Sequence, residues 1–148
     1  MVQLAETKAL NYFNTHNCCQ AVLRTVLEEK GLMFDEAIFI GSGFGGGIIG
    51  RGEICGAVSG AVMAVGILNK NLYSDLAEHK NATREITKLF YERFEGIYGH
   101  STCNGLIGID RNDPEAKRKA SEAGIYRENC PKFVRTAVNI VLDLFTEK

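Results

Sequence analysis

Tryptophan is absent from this chain of 148 residues, proline occurs only twice, and no apolar run is long enough to cross a membrane. The longest such run, from Ile54 to Leu68, is rich in glycine and shorter than the roughly 20 residues that a spanning helix needs. The first residues, MVQLAETKAL, include an acidic side chain and no apolar segment typical of a secretory signal. The sequence therefore predicts a cytoplasmic protein without a membrane span.

The chain also lacks an excess of charge of either sign. Its formal net charge is −1, and 24% of its residues are charged against 45% that are hydrophobic. This balance is typical of a folded globular protein and provides no basic field that would attract nucleic acid. The length suits one hydrophobic core, so we expect residues 1–148 to form a single domain that does not bind nucleic acid.

Five cysteines are present, yet no two of them form a C-x-x-C pair. Zinc ribbons, zinc fingers and the thioredoxin motif all need two cysteines within a short loop, so the sequence excludes these motifs. Permanent disulfides are rare in a reducing compartment, where cysteines are more often catalytic, metal-binding or redox-sensing. A site made by these cysteines must therefore be assembled from separate elements of the fold, as in the core of a helical bundle.

The rest of the chain shows a series of helical patterns. Apolar residues at helical spacing, N-cap residues and terminal glycines predict helices over Val2–Phe13, Cys18–Lys30, Glu53–Leu68, Ser74–Phe94, Pro114–Gly124 and Cys130–Phe145. The short segment from Asp35 to Ile40 fits either a strand or one to two turns of helix. We expect an all-α single-domain bundle of about five to seven helices, with a glycine-rich loop before a buried central helix.

The glycine-rich stretch GSGFGGGIIGRGEICGAVSG, residues 41–60, has nine of the 16 glycines in the chain. Its start matches the G-x-G-x-x-G pattern of dinucleotide-binding proteins, in which the third glycine lies on a helix and an acid follows roughly 20 residues later. Here the loop continues to Gly52, and no acidic residue lies between Glu53 and Asp75. We therefore expect the loop to bring its backbone near Cys55 rather than to hold a nucleotide.

Four cysteines fall at predicted helix N-termini, namely Cys18, Cys55, Cys103 and Cys130. The unpaired amides and the dipole of a helix start favour thiolate, which is the form that attacks disulfides and binds metals. We therefore expect these four sulfurs to converge on one site and at least one of them to be an acidic thiol. Cys19 is expected to lie in the core, pointing away from that cluster.

These segments resemble the C_GCAxxG_C_C family, which is named for its cysteine pattern and whose redox activity is inferred from its cysteines. The segment NCCQAV, residues 17–22, is similar to the first cysteine segment of the family. The segments FGGG, residues 44–47, and CGAVSG, residues 55–60, are similar to its central motif. Cys103 and Cys130 fall where its last two cysteines are expected.

One departure from the family pattern concerns the central cysteine. The family name places Gly before this Cys, whereas here Ile54 precedes Cys55 and Gly56 follows it. The rest of the resemblance extends from Cys18 to Cys130 and implies a redox-active four-cysteine site.

The residues allow three interpretations of such a site. The first is thiol–disulfide exchange or electron transfer by Cys18, Cys55, Cys103 and Cys130, with no cofactor required and a redox partner that the sequence does not identify. In the second, the same four cysteines bind Zn²⁺ or an iron–sulfur cluster, because both take four sulfur ligands. Backbone groups of Gly45, Gly46, Gly47 and Gly56 would then contact the cofactor. In the third, the cysteines fill a core and the protein is an interaction module.

Three further residues have two possible roles each. His16 and His100 lie shortly before Cys18 and Cys103, so each is either a base or metal ligand or a solvated residue at a helix boundary. Arg51 either supports a thiolate at Cys55 or is solvated. The charged run from Arg111 to Glu122 is typical of a solvated helix face. The sequence leaves the cysteine pairing and the oligomeric state open.

Overall fold

The computed structural model describes the backbone of residues 2–146 and the side chains of residues 4–146. Within this part of the chain there are eight α-helices and no strand: α1 (Val2–Phe13), α2 (Cys18–Glu29), α3 (Glu36–Ile40), α4 (Gly56–Lys70), α5 (Leu76–Tyr98), α6 (Cys103–Ile107), α7 (Pro114–Glu122) and α8 (Ile125–Leu144). The all-α prediction is confirmed. The count exceeds five to seven because α3 and α6 have five residues each, which is too short for a helical periodicity to be detected.

The core lies where α2, α4 and α8 meet. α4 packs most extensively against α2, while α1 covers α2 and α8, and α5 packs on α4 and α8. Small residues allow the close approach of α2 and α4, since a Cβ added at Gly60 would lie 2.5 Å from the carbonyl oxygen of Cys19. Phe90 and Phe94 of α5 are fully buried and stack with their ring centroids 5.7 Å apart. No helix within residues 2–146 combines the length and hydrophobicity that a membrane crossing requires.

The central helix α4 begins later than the sequence pattern predicts. The prediction placed its start at Glu53, but the helix begins at Gly56, and Cys55 is its N-cap residue with an extended backbone. Ile54 instead forms an antiparallel bridge with Thr102. Extended pairing therefore displaces the first helical turn, and this pairing joins the glycine-rich loop to the start of α6.

The glycine-rich loop is held in shape by backbone hydrogen bonds and by close contacts that exclude side chains. The amide of Glu53 donates to the carbonyl oxygen of Gly47, at 2.9 Å. Gly47 has a φ of +72°, and a Cβ added there would lie 2.5 Å from the amide nitrogen of Glu53. A Cβ added at Gly52, with a φ of +77°, would collide with the side chain of Asn104. The loop is therefore packed tightly against α6.

The long helix α5 is capped one residue later than expected. Asp75, rather than Ser74, is its N-cap, and its side chain accepts a hydrogen bond from the amide of Glu78. The helix also continues beyond Phe94 to Tyr98 and ends at Gly99, which has a φ of +78°. Gly96 lies inside the helix and does not end it.

The last helix differs most from the prediction, which placed its start at Cys130. α8 begins at Ile125, after Gly124 in the left-handed conformation. Asn129 lies inside the helix, and its Nδ2 donates to the carbonyl oxygen of Ile125 at 2.9 Å. Pro131 is tolerated within the helix, although it has no amide hydrogen to donate. Cys130 is therefore not at a helix N-terminus.

Candidate four-cysteine site

A cavity of about 190 Å³ brings together sulfurs from four separate elements. It is lined by Cys18, Cys55, Cys103 and Cys130, with Phe13, Leu106, Ile107 and Phe133 as apolar walls, Asn17, Arg111 and Tyr126 as polar side chains, and the backbone of Gly46, Gly47 and Gly56. All five cysteines of the chain are free thiols. The structure thus places the four sequence-predicted cysteines around one space.

Cys18 is the first residue of α2, where a capping box fixes the turn. The side chain of Asn17 accepts from the amide of Gln20 at 2.8 Å, and the side chain of Gln20 accepts from the amide of Asn17 at 3.0 Å. Cys18 is half-buried. A Cβ added at Gly56 would lie 2.7 Å from its sulfur, so the sulfur of Cys18 lies directly against the first turn of α4.

Cys55 and Cys103 are brought together by the bridge between Ile54 and Thr102. The amide of Cys55 donates to the carbonyl oxygen of Ser101 at 2.9 Å, and the amide of Cys103 donates to that of Glu53 at 2.6 Å. Both side chains are buried. Cys103 opens α6, as the sequence predicts, with Thr102 as its cap.

Cys130 completes the set from the second turn of α8 and is half-buried. Only Cys18, Cys55 and Cys103 therefore lie at helix starts. The four sulfurs converge because α2, α4, α6 and α8 meet at the cavity, and this convergence does not depend on a shared position at helix N-termini.

Burial opposes the low thiol pKa that a position at a helix N-terminus would favour. Burial raises the pKa of Cys55 and Cys103, and it raises the pKa of Cys130 to about 12. In all three residues a charge on Cys18 adds to the rise. At Cys55 the amides of Ala57 and Val58 lower the pKa, but they do not overcome burial. Burial therefore raises the pKa of these three thiols, and the expectation that at least one of the four is acidic stays a prediction.

Arg111 is the functional residue that the sequence reasoning missed. It was assigned to a solvated helix face, but it precedes α7, and its guanidinium lines the cavity. Its charge and a hydrogen bond from its guanidinium lower the pKa of Cys103, against the larger effect of burial. The guanidinium carbon lies 4.3 Å from the ring centroid of Tyr126. Arg111 therefore supplies a positive charge beside a buried sulfur.

Two contacts hold Arg111 in place. Its amide donates to Oδ1 of Asn104 at 2.9 Å, and Asn104 in turn packs against Gly52. A Cβ added at Gly46 would lie 2.9 Å from Nη1 of Arg111 and 2.9 Å from Cα of Gly50, so a side chain there would displace the guanidinium or the loop. The glycine-rich loop is thus the support of the arginine as well as of Cys55. Position 111 shows no sequence signal of this role, because the contact depends on the packing of α6 against the loop.

The other sequence candidates lie elsewhere. Arg51 is exposed and faces Glu53 at 3.9 Å, so it does not support Cys55. His16 contacts Thr15 and Arg24, and burial lowers its pKa. His100 is exposed. Neither histidine lines the cavity.

Cys19 and Gly45 also lie outside the cavity lining. Cys19 is fully buried in the core, with its sulfur 3.8 Å from the sulfur of Met63, and burial raises its pKa to about 11. A Cβ added at Gly45 would lie 2.9 Å from Cβ of Asn17, so this glycine leaves room for the cap of α2. Its contribution to the site is therefore indirect.

Within the part of the chain that the structure describes, no group of three or more His, Cys, Asp or Glu side chains is arranged to hold a metal ion.

Comparison with known proteins agrees with the cysteine pattern. The model of the family described as "Putative redox-active protein (C_GCAxxG_C_C)" matches residues 16–144. An uncharacterized protein of Archaeoglobus fulgidus is 25% identical over 147 residues, covering 93% of this chain and 91% of the relative. No solved structure matches the chain. Since the family model spans all four cavity cysteines, the chain belongs to the C_GCAxxG_C_C family.

Proposed function

We propose that the four-cysteine cavity performs thiol–disulfide exchange with a disulfide-bearing substrate. The observation that carries this proposal is the lining of one cavity by four free thiols together with one guanidinium. Two thiols in contact can exchange electrons with a disulfide, and a cation beside them stabilises the thiolate through which exchange proceeds. The chemistry needs reduced thiols, so a reducing cytoplasm is the compartment that we propose.

Cys18 is the attacking sulfur in this proposal. A substrate reaches a half-buried sulfur more easily than Cys55 or Cys103, which are 5% and 8% exposed. Cys130 is half-buried too, but with a pKa of about 12 it is a thiol at neutral pH and therefore a poor nucleophile. Cys18 lies against the first turn of α4, whose unpaired amides stabilise negative charge in their vicinity.

Cys103 is the resolving sulfur in this proposal, because it lines the same cavity and Arg111 partly offsets the effect of burial on its pKa. The thiolate of Cys18 attacks one sulfur of the substrate disulfide, the S–S bond breaks, and the first thiolate leaves. Cys103 then gives up its proton and attacks the sulfur of Cys18, and the second substrate thiolate leaves. The substrate gains two electrons, its two thiolates take up the two protons that the cysteines lose, and a Cys18–Cys103 disulfide remains.

Cys55 and Cys130 serve as a relay. Each lines the same cavity as Cys18 and Cys103, and this shared lining supports the relay role. An external dithiol must return two electrons to complete the cycle, and this donor is the redox partner that the sequence leaves unidentified.

A trapping experiment tests the order of attack. Reduced Cys103→Ser protein, mixed with bis(2-hydroxyethyl) disulfide, should accumulate a mixed disulfide on Cys18, which peptide mapping by mass spectrometry locates. Cys18→Ser should form no such adduct, and Cys19→Ala should react like the unmodified chain. An adduct that forms on Cys130 or Cys55 instead would contradict the assignment of Cys18, and no reaction at any cysteine would favour the core-filler interpretation.

The second candidate function is binding of a metal or an iron–sulfur cluster by the same four cysteines. Its supporting observation is the number of sulfurs around the cavity, which equals the ligand count of such sites. The glycine backbone of residues 46, 47 and 56 could donate amides to a cluster. Stoichiometric iron and sulfide in protein purified without oxygen would place this candidate first.

A further inference from the structure

We infer that the cavity selects small disulfides that carry a carboxylate, and that Arg111 and Tyr126 bind this carboxylate. This inference rests on the proposed function, and it names the substrate class of the same site. It is carried by two buried atoms without a hydrogen-bond partner, Nε of Arg111 and Oη of Tyr126, both in residues that line the cavity.

The first of these groups is the guanidinium of Arg111. Its Nε is buried and has no hydrogen-bond partner. Within residues 2–146, Arg111 takes part in no ion pair with a carboxylate. Among the described residues that line the cavity, it is the one with a charged side chain. Arg111 is half-buried, and partial removal of a cation from water without an acidic partner has a cost that a bound anion offsets.

The second group is the hydroxyl of Tyr126. Its Oη is buried and unpartnered, and the residue lines the same cavity beneath the guanidinium. A buried tyrosine hydroxyl normally finds a hydrogen-bond partner. Because Arg111 and Tyr126 are stacked, their free donors are close together, and a carboxylate has two oxygens that can accept from both.

The walls indicate that the anion belongs to a short organic molecule. Phe13, Leu106, Ile107 and Phe133 surround the remaining space, and such walls favour methylene groups over water. A volume of about 190 Å³ limits the ligand to a small molecule. A short carboxylated disulfide therefore complements all three features of the cavity: the cation with its neighbouring hydroxyl, the apolar walls and the reactive sulfur.

Three probe disulfides with two methylene groups in each arm test the inference: 3,3′-dithiodipropionate, bis(2-hydroxyethyl) disulfide and cystamine, which are anionic, neutral and cationic. Release of the first thiol is measured with Cys103→Ser protein, so that only attack by Cys18 contributes. Each rate is then divided by the rate at which free N-acetylcysteine reacts with the same probe, which corrects for the intrinsic reactivity of the probe. We expect the normalised rate with dithiodipropionate to exceed that with the neutral probe at least about tenfold, since a charge-assisted hydrogen bond is worth about that factor. Cystamine should be slowest.

Arg111→Gln should abolish the preference, and Tyr126→Phe, which removes only a hydroxyl, should reduce it. Arg51→Gln is the matched control and should preserve it.

Equal normalised rates, or a preference that survives both cavity substitutions, would overturn the inference while leaving thiol exchange intact. If sulfate inhibits as strongly as propionate, Arg111 and Tyr126 bind inorganic oxyanions equally well, and the carboxylate specificity is overturned. Failure of every probe to modify Cys18 would overturn the proposed function, and this inference with it.

Discussion

At the scale of single residues, the reactivity of Cys103 depends on the balance between burial and Arg111. Burial raises its pKa, and the arginine is the neighbour that lowers it. Arg111→Gln should therefore shift alkylation of Cys103 to higher pH, because the effect of burial remains and the opposing effect is lost. The alkylation rate against pH, resolved by peptide mapping, measures this shift. Arg51→Gln is the control, and an unchanged profile in Arg111→Gln would contradict the role of the guanidinium.

The two arginines also show where sequence reasoning reaches its limit. Arg51 lies four positions before Cys55, yet its side chain is 65% exposed and turns toward Glu53. Arg111 reaches the cavity only because Asn104 fixes its backbone and Gly46 leaves room for its guanidinium. Distance along the chain is a poor guide to contact in a loop, so the sequence predicts the sulfurs of the site but not its cation.

At the scale of elements, the contact between α2 and α4 is set by a glycine at one point of the interface. A Cβ at Gly60 would meet the carbonyl oxygen of Cys19 at 2.5 Å, whereas a Cβ at Gly66, further along the same helix, would meet no atom within 4 Å. Gly60→Ala should therefore destabilise the protein by about 1–3 kcal/mol, as overpacking typically does. Gly66→Ala should stabilise it by about 0.5–1 kcal/mol through helix propensity.

Urea unfolding under reducing conditions measures both free energies. The matched pair separates packing from propensity, since both substitutions add the same methyl group to α4. Equal effects of the two substitutions would contradict the close contact between the helices.

Helix starts were predictable where the capping signal is local. Asn17 and Thr102 both cap helices that begin at a cysteine, and their side chains accept the hydrogen bonds that define a cap. The Asn129-Cys130-Pro131 segment has the same local pattern, but the helix runs through it. Burial of the apolar face of α8 outweighs the local preference, and a single sequence window does not include that packing energy.

At the scale of the whole molecule, the buried thiols make stability depend on pH. Cys19 is fully buried and has a pKa of about 11, above the value of about 8.5 for a free thiol. Between these two values the unfolded chain loses a proton that the folded chain keeps, so stability falls as pH rises. The stabilisation is complete below about pH 8.5 and is lost progressively toward pH 11. The slope from one thiol is at most about 1.4 kcal/mol per pH unit.

Cys19→Ala should therefore show a shallower fall in unfolding free energy between pH 9 and pH 10.5 than the unmodified chain. Urea unfolding at several pH values, with a reductant present, provides the comparison. Parallel slopes for the two proteins would contradict protonated burial of Cys19.

The central claim is that the cavity cysteines exchange a disulfide, and thiol counting with peptide mapping tests it most directly. The protein is purified without oxygen, its metal content is determined, and it is oxidised with one equivalent of a small disulfide. The account predicts colourless protein with less than about one metal per chain, the loss of two of the five free thiols, and a bond that joins Cys18 to Cys103. Brown protein with stoichiometric iron and sulfide, or retention of all five thiols, would contradict it.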